Sequence, residues 1–257
     1  MGFNIPMNTK GCLSADGLMA LNNGMNMQTQ QMNQHMAQPQ MQQPMMNQQM
    51  AQPQMQPAPQ PKQRPNGGGV HLKKGQKVAL AGVNGAQLTN VDICLGWDVT
   101  NGACDLDASA FMLGADGKVP GDDWFVFYGQ TNSPDGSIIH SGDSQGDDIG
   151  DDEIISINLN QVSGNVQKIT FVVTINEALE RGLNFSMVAN AYVRVVDKTT
   201  GQELNKFILT DYYANVTSMV VGELYRHNGV WKFNAVGDGV AKDLAGLCAM
   251  YGVNVAD

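Results

Sequence analysis

The chain has 257 residues, of which 42% are hydrophobic and 15% charged, enough for one sizeable core and a tail. Its formal net charge is −9, and residues 1–69 carry +2 (Lys10, Lys62 and Arg64 against Asp16), so the remainder carries −11. This acidity argues against nucleic-acid binding, which needs basic patches, and suits divalent cations. No run of about 18 apolar residues occurs, so we expect no membrane-spanning segment.

The first 69 residues form a tail of a different composition. From Met25 to Gln60 the chain is almost wholly Met, Gln, Asn, Pro and Ala, and MAQPQMQ occurs at both Met36–Gln42 and Met50–Gln56. Few aromatic or β-branched residues and recurrent prolines predict a mostly disordered segment. Three roles are open: a spacer, a segment that self-associates or captures partners, and soft-metal binding by the thioethers.

The N-terminus and the cysteines both indicate a cytoplasmic protein. MGFNIPMNTKG lacks the charged-then-apolar layout of a secretory signal. Cys12, Cys94, Cys104 and Cys248 show no CxxC spacing, so we interpret them as reduced thiols. Strand alternation places Cys94 on the face opposite Ile93 and Leu95, where it could be accessible.

Residues 70–257 are predicted to be an all-β domain, a sandwich of two sheets with a few short helices. Turn signals occur at Asp116-Gly117, Pro134-Asp135-Gly136, Thr200-Gly201 and Asn228-Gly229. Helices are predicted at Glu177–Met187 and Val240–Tyr251. Strand patterns fall at Val91–Leu95, Leu106–Leu113, Trp124–Tyr128, Ile154–Leu159, Ile169–Ile175, Ala191–Val196, Lys206–Leu209, Val216–Tyr225 and Val230–Val236.

The most distinctive stretch is acidic and contains no Lys or Arg. Like charges at this density need a cation, protonation or full exposure to water. Gly142, Gly146 and Gly150 allow the backbone to curl, and Ca²⁺ accepts about 6–8 hard oxygen ligands, although the spacing is not that of an EF-hand. The stretch therefore predicts a Ca²⁺ site, with an acidic surface loop as the alternative. Its acidic residues are Asp143, Asp147, Asp148, Asp151, Asp152 and Glu153.

A second acidic feature is Asp105-Leu106-Asp107. Alternation along a strand would set Asp105 and Asp107 side by side while Leu106 enters the core. Asp98, at the end of the preceding strand, could join them. Together with the acidic loop, these residues predict a rim of loops that holds one or two ions; taken singly, each could be a strand-edge carboxylate that blunts aggregation.

Eight segments occur in the following order along the chain: LGWD (Leu95–Asp98), DLDASAF (Asp105–Phe111), FYG (Phe127–Gly129), SPDGSIIHSGD (Ser133–Asp143), GDDE (Gly150–Glu153), KITFVVTI (Lys168–Ile175), AYVRVVD (Ala191–Asp197) and GELYRHNGVWKF (Gly222–Phe233). Together they resemble the TerD family of bacterial tellurite-resistance and stress-response proteins. The resemblance implies a cytoplasmic, non-catalytic β-sandwich that binds Ca²⁺ through Asp105, Asp107, Asp143, Asp151, Asp152 and Glu153. Asp147 and Asp148 fall in a variable part that is slightly shorter than usual, with Ser144 where Asn is common.

Three functions follow as hypotheses. The first is a Ca²⁺-binding scaffold or sensor that presents a surface to protein partners of the stress response, including at the inner membrane surface. The second is a metal-dependent hydrolase, although no Ser-His-Asp order, nucleophile elbow or phosphate loop occurs and His140 is predicted to be a hydrogen-bonding strand-end residue. The third is thiol chemistry on tellurite by Cys94 and Cys104.

Removing residues 1–69 should leave the melting temperature of the domain unchanged and reduce its self-association. The tail has no periodic apolar face to bury, whereas two copies of MAQPQMQ on one chain allow multivalent contacts. Thermal unfolding and sedimentation of the full and truncated chains measure both effects. A truncated domain that melts earlier would contradict this, and would point to packing by Leu13 to Leu21.

Overall fold

In the computed structural model of the protein, the structure describes residues 68–82, 85, 87–100, 104–142, 150–211 and 214–255. Apart from Gly68 and Gly69, the predicted tail lies outside the described residues. The strands in these ranges are β1 (Val70–Leu72), β2 (Lys77–Ala79), β3 (Asn90–Val99), β4 (Leu106–Leu113), β5 (Phe125–Val126), β6 (Ile138–His140), β7 (Glu153–Asn158), β8 (Lys168–Ile175), β9 (Val188–Asp197), β10 (Gln202–Ile208), β11 (Ser218–His227) and β12 (Val230–Val240).

The strands form two six-stranded sheets. Sheet A has the order β1-β10-β9-β3-β7-β6, and sheet B has the order β2-β12-β11-β8-β4-β5. Neighbouring strands pair antiparallel, except that β1 pairs parallel with β10. The chain passes from one sheet to the other in several connections, including β3–β4 and β7–β8, which lie at opposite ends of the sandwich.

The main core lies between the sheets because alternate residues of each strand point inward. In β4, Leu106, Ala108, Ala110 and Met112 belong to this core, which confirms that Leu106 faces inward. A second apolar layer covers the outer face of sheet B, where Phe111 stacks on Phe125 with ring centroids 4.4 Å apart.

The two helices are shorter than predicted. The first, α1, spans Ala178–Arg181 and ends at Gly182, whose φ of 63° is left-handed, before a separate 3-10 turn at Phe185–Met187. The second, α2, spans Leu244–Tyr251 and is capped by the Asp243 side chain, which accepts from the Gly246 N–H. The predicted start at Val240 is wrong because Val240 is the last residue of β12. Neither helix is long and apolar enough to cross a membrane.

The predicted turns take the conformations that their residues favour. Asn228 and Gly229 have φ of 52° and 76°, and His227 pairs with Val230, which is a two-residue hairpin. Gly117, Gly136 and Gly201 also have positive φ.

The Asp135 side chain stabilises the turn between Ser133 and Ser137 by hydrogen bonds. Its Oδ1 accepts from the hydroxyls of Ser133 and Ser137, each at 2.7 Å, and from the Ser137 N–H. Its Oδ2 accepts from the Ser163 N–H at 2.8 Å, which ties this turn to the β7–β8 connection. Burial opposes the charged form, but the hydrogen bonds from Ser137, Ser163 and Ser133 outweigh it, so the pKa of Asp135 lies below its ordinary value of 3.8.

Asp135→Asn should lower the free energy of unfolding at neutral pH. The difference in this free energy between the variant and the parent should become smaller as the pH falls. A depressed carboxyl pKa contributes stability above the pKa of the unfolded chain, and this stability is lost as pH falls through the lower, folded value. Urea unfolding between pH 7 and pH 2 measures this. Asp116→Asn, at an exposed turn, is the control; a deficit for Asp135→Asn that does not change with pH would contradict the role of its charge.

Candidate metal centre

One end of the sandwich gathers most of the predicted site. In sheet A, Leu95 near the end of β3 pairs with Glu153 at the start of β7. In sheet B, Leu106 at the start of β4 pairs with Ile175 at the end of β8. Three parts of the chain therefore lie at the same end of the sandwich: the last residues of β3, the segment from Gly150 to Glu153 and the residues that lead into β4. The sequence prediction that Asp98, Asp105 and the acidic loop sit near strand ends is consistent with this topology.

Glu153 points inward and is buried. Its Oε2 accepts from the Ala108 N–H of β4 at 2.8 Å and lies 3.2 Å from Nε2 of His140. His140 Nε2 also lies 3.0 Å from the Ala108 carbonyl oxygen, and Nδ1 accepts from the Gly142 N–H at 3.0 Å. The ring proton therefore sits on Nε2. The sequence predicted this hydrogen-bonding role for His140, but it assigned Glu153 to metal binding.

Asp151 and Asp152 also contact the protein. Asp152 Oδ2 accepts from the Trp97 N–H at 2.7 Å, and its own N–H donates to the Leu95 carbonyl at 2.8 Å. Asp151 Oδ1 accepts from Arg194 Nε at 2.8 Å and from the Tyr192 hydroxyl at 2.7 Å, while Arg194 Nη2 bonds Oδ2. Both side chains thus anchor the segment that follows the acidic loop.

Asp105 is exposed, Asp98 and Asp107 are partly buried, and the three residues occupy different positions around this end. Asp98 accepts from the Asn190 side chain at 2.8 Å, and Asp105 accepts from the Asn176 side chain at 3.3 Å. Because Leu106 and Ala108 face the core, Asp107 faces outward from sheet B. Asp98 belongs to β3 of sheet A, whereas Asp107 belongs to β4 of sheet B.

Within the described ranges, no three His, Cys, Asp or Glu side chains lie close enough to hold an ion. Asp143, Asp147 and Asp148 lie outside the described residues. The carboxylates of Asp105 and Asp107 fit Ca²⁺ in donor chemistry, since it prefers hard oxygens. A site built on them would have to draw further ligands from residues 143–149.

The thiols of Cys94 and Cys104 have little access to solvent. Cys94 does point to the outer face of sheet A, but only 3% of it is exposed, because Arg194 and its partners cover that face. Burial, and then the nearby Asp151 charge, raises the pKa of the Cys94 thiol. Burial also raises the pKa of Cys104, whose sulfur lies 3.9 Å from that of Met187. Cys94 is thus a packed residue on the outer face of sheet A, which is the likelier of the two roles that the sequence indicated for it.

The chain matches the TerD domain family model over residues 69–251. It belongs to the TerD family. It is 47% identical over 191 residues to the tellurium resistance protein TerD of an Alcaligenes species, covering 73% of this chain and 99% of that protein. It is 44% identical to general stress protein 16U of Bacillus subtilis, covering 72% of this chain and 98% of that protein. The chain is thus a TerD-family protein of tellurium resistance and stress response.

The TerD fold is also similar to a solved structure. The crystal structure of SAV2460, a protein of unknown function, superposes with a TM-score of 0.51 at 25% identity, covering 62% of this chain and 94% of that one. The resemblance seen in the sequence is therefore confirmed.

Sequence reasoning missed Arg194 and Tyr192 of the TerD domain as part of this centre. The available signal was Arg194 itself, which stands in AYVRVVD between two inward-facing valines. An Arg in the middle of a strand is seldom buried unless an acid pairs with it. The sequence could not name that acid, because Asp151 lies 43 residues away along the chain.

Glu153→Ala should destabilise the domain even in EDTA. The loss would leave the buried Ala108 N–H without its acceptor, which costs about 1–3 kcal/mol. Urea unfolding in EDTA gives the free energy of unfolding. Glu180→Ala, the same change at an exposed position of α1, should stay within about 0.5 kcal/mol of the parent. Equal stability of Glu153→Ala and the parent in EDTA would restore Glu153 to the ligand set.

Proposed function

We propose that this TerD domain is a non-catalytic Ca²⁺-binding scaffold or sensor of the chemical-stress response. The observation that supports it most is that the two flanks of the 143–149 segment are fastened to the sandwich. On one side, the Gly142 N–H donates to His140. On the other, Asp151, Asp152 and Glu153 bond to β9, β3 and β4. A short acidic loop held at both ends suits a cation site, because little chain must be ordered on binding.

The residues proposed to hold Ca²⁺ are Asp105, Asp107 and the loop residues Asp143, Asp147 and Asp148, with Asp98 close to the same end. When bound, the ion would supply positive charge that relieves repulsion among these carboxylates. Asn176 orients Asp105 by a hydrogen bond to Oδ2, and Asn190 does the same for Asp98. The chain would thus contribute carboxylate oxygens from two places, the rigid strand ends near Asp98 and Asp105 and the 143–149 loop.

Two alternatives receive less support. Thiol reduction of tellurite needs accessible thiolate, whereas burial raises the pKa of both Cys94 and Cys104. A hydrolase would need a general base, and the one His beside the acidic segment, His140, is buried and hydrogen-bonded through both ring nitrogens.

The scaffold role assigns the acidic end of the sandwich to protein partners. Ca²⁺ binding would set the shape and charge of the 143–149 loop and so control that surface. We place the protein in the cytoplasm, with partners among other stress-response components, including at the inner membrane surface, and not on nucleic acid. Its acidic domain supports this choice, since a charge of −11 over residues 70–257 repels phosphate.

Ca²⁺ should raise the melting temperature of the protein, and Asp107→Asn should weaken that effect. At about 100 times its Kd, a ligand that binds only the folded state adds roughly 2.7 kcal/mol. Mg²⁺ should act less, because it demands octahedral geometry. Calorimetric titration of the parent, Asp107→Asn and the control Asp116→Asn, beyond the opposite end of β4, gives the affinities. Identical melting of the parent in EDTA and in millimolar Ca²⁺ would refute the proposal.

A further inference from the structure

Basic and aromatic side chains lie together on the outer face of sheet B, beyond the apolar layer that α2 covers. The strand register places Lys232 of β12, Tyr225 of β11 and Lys168 of β8 side by side across three strands. Each of them is next in sequence to a core residue, so all three side chains point outward; these core residues are Phe233, Leu224 and Ile169. Together with Lys77 of the neighbouring strand β2, they form a surface that we call the basic face.

The basic face has an excess of positive charge. The Lys168 ammonium bonds to Glu223 at 2.9 Å, and 41% of the Lys168 side chain remains exposed. The Lys77 ammonium lies 5.9 Å from the centroid of the Tyr225 ring. In the part of the chain that the structure describes, no carboxylate lies within ion-pair distance of Lys77 or Lys232. Three lysines therefore surround one carboxylate, in a domain that otherwise carries mostly negative charge.

Apolar surface accompanies these charges. The Tyr225 ring is half-buried between the lysines, and Ala79, which pairs with Lys232, is exposed. Val230, at the start of β12, is 47% exposed. An aromatic ring and small apolar side chains within a polar rim are typical of protein–protein interfaces. The apolar contacts of such a surface contribute affinity, and its charges select an acidic partner.

A complementary surface of this chain lies at the other end of the same sheet. Lys168 is the first residue of β8, whereas Glu177 follows the end of β8 and Asp105 precedes β4. Asp105 and Glu177 are both exposed, and the Asn176 N–H donates to the Asp105 carbonyl at 2.8 Å, which keeps them close; Arg181 offsets part of the charge at 4.0 Å from Glu177. The length of β8, at about 3.3 Å per residue, separates the two surfaces by about 23 Å, so they cannot meet within one chain.

We propose that the basic face binds the acidic end of a second copy of this chain, at Asp105 and Glu177, so that copies associate head to tail. The two surfaces differ from each other, so the contact is heterologous and each pair of copies keeps one surface of each kind open. The net negative charge of the domain does not prevent this contact. At about 0.15 M salt, charges separated by more than about 8 Å are largely screened, whereas charges in direct contact are screened less. The association goes beyond the proposed function and does not depend on Ca²⁺.

Removal of two charges from the basic face should weaken self-association. Sedimentation equilibrium of the full-length protein in EDTA compares the parent with Lys77→Gln/Lys232→Gln, the face variant. The loss of two ion pairs at an exposed contact should lower the association constant roughly 10-fold. Lys73→Gln/Lys198→Gln makes the same change of net charge at exposed lysines elsewhere and should associate as the parent does. A parent that stays monomeric, or a face variant that associates as the parent does, would overturn the inference.

A mixture of two variants tests whether the contact is head to tail. Asp105→Asn/Glu177→Gln, the end variant, keeps the basic face, and the face variant keeps the acidic end. Each should associate weakly alone, whereas an equimolar mixture should form pairs with the parent's affinity and stop there, because the other two surfaces are neutralised. A mixture that associates no better than its components would indicate contact between like surfaces or through the tail, and would overturn the inference. Because EDTA is present throughout, this result is independent of whether the protein binds Ca²⁺.

Discussion

Two side chains of sheet A, those of Glu153 and His140, contact the backbone of Ala108 in sheet B. The acidic end of the molecule depends on this contact. Because β5 spans only Phe125–Val126 and pairs with Ala110 and Phe111, no described strand reaches Ala108 on that side. Glu153 accepts from the Ala108 N–H, and the His140 ring meets its carbonyl. A buried backbone amide and carbonyl without partners would be costly, so side chains take the place of a strand. The contact also locks the two sheets together where the acidic stretch enters.

This arrangement divides an acidic run that looks uniform in the sequence. Its last three carboxylates bond to three different strands. Asp151 bonds to Arg194, Asp152 to the Trp97 N–H and Glu153 to the Ala108 N–H. Because these carboxylates bond to backbone and guanidinium groups, the Asp151–Glu153 segment is held rigidly against the sandwich. In the function we propose, Ca²⁺ would bind to the other acidic residues of the run and to the carboxylates of the β3–β4 region, and these three residues would hold the chain in place.

Local chemistry made much of the fold predictable. Asn228-Gly229 specified its hairpin because both residues tolerate positive φ, and the alternation of β4 and β8 specified which residues face the core. Helix boundaries were less predictable, since Val240 suits the stripe of a helix as well as the end of a strand. The three-residue strands β1, β2 and β6 were missed because so short a run carries no periodicity.

The sequence did not predict in the same way which acidic residues anchor the chain and which could serve as ligands. A ligand and an anchor both need an ionised carboxylate near a turn, and the partner that distinguishes them is distant in sequence. Arg194 and Ala108 approach Asp151 and Glu153 only after the sheets have formed. The sequence could therefore predict an acidic centre at one end of a sandwich, but not which of its members stay available to an ion.

The strands at the sheet margins are all very short, and this limits edge-to-edge association between copies of the domain. β1, β2 and β6 have three residues each and β5 has two. Long, flat margins invite other chains to add as extra strands and lead towards fibrils, whereas margins of this length offer too few amide and carbonyl groups for such growth. Growth by addition of strands at these margins is thus disfavoured, and assembly of the protein would need other surfaces.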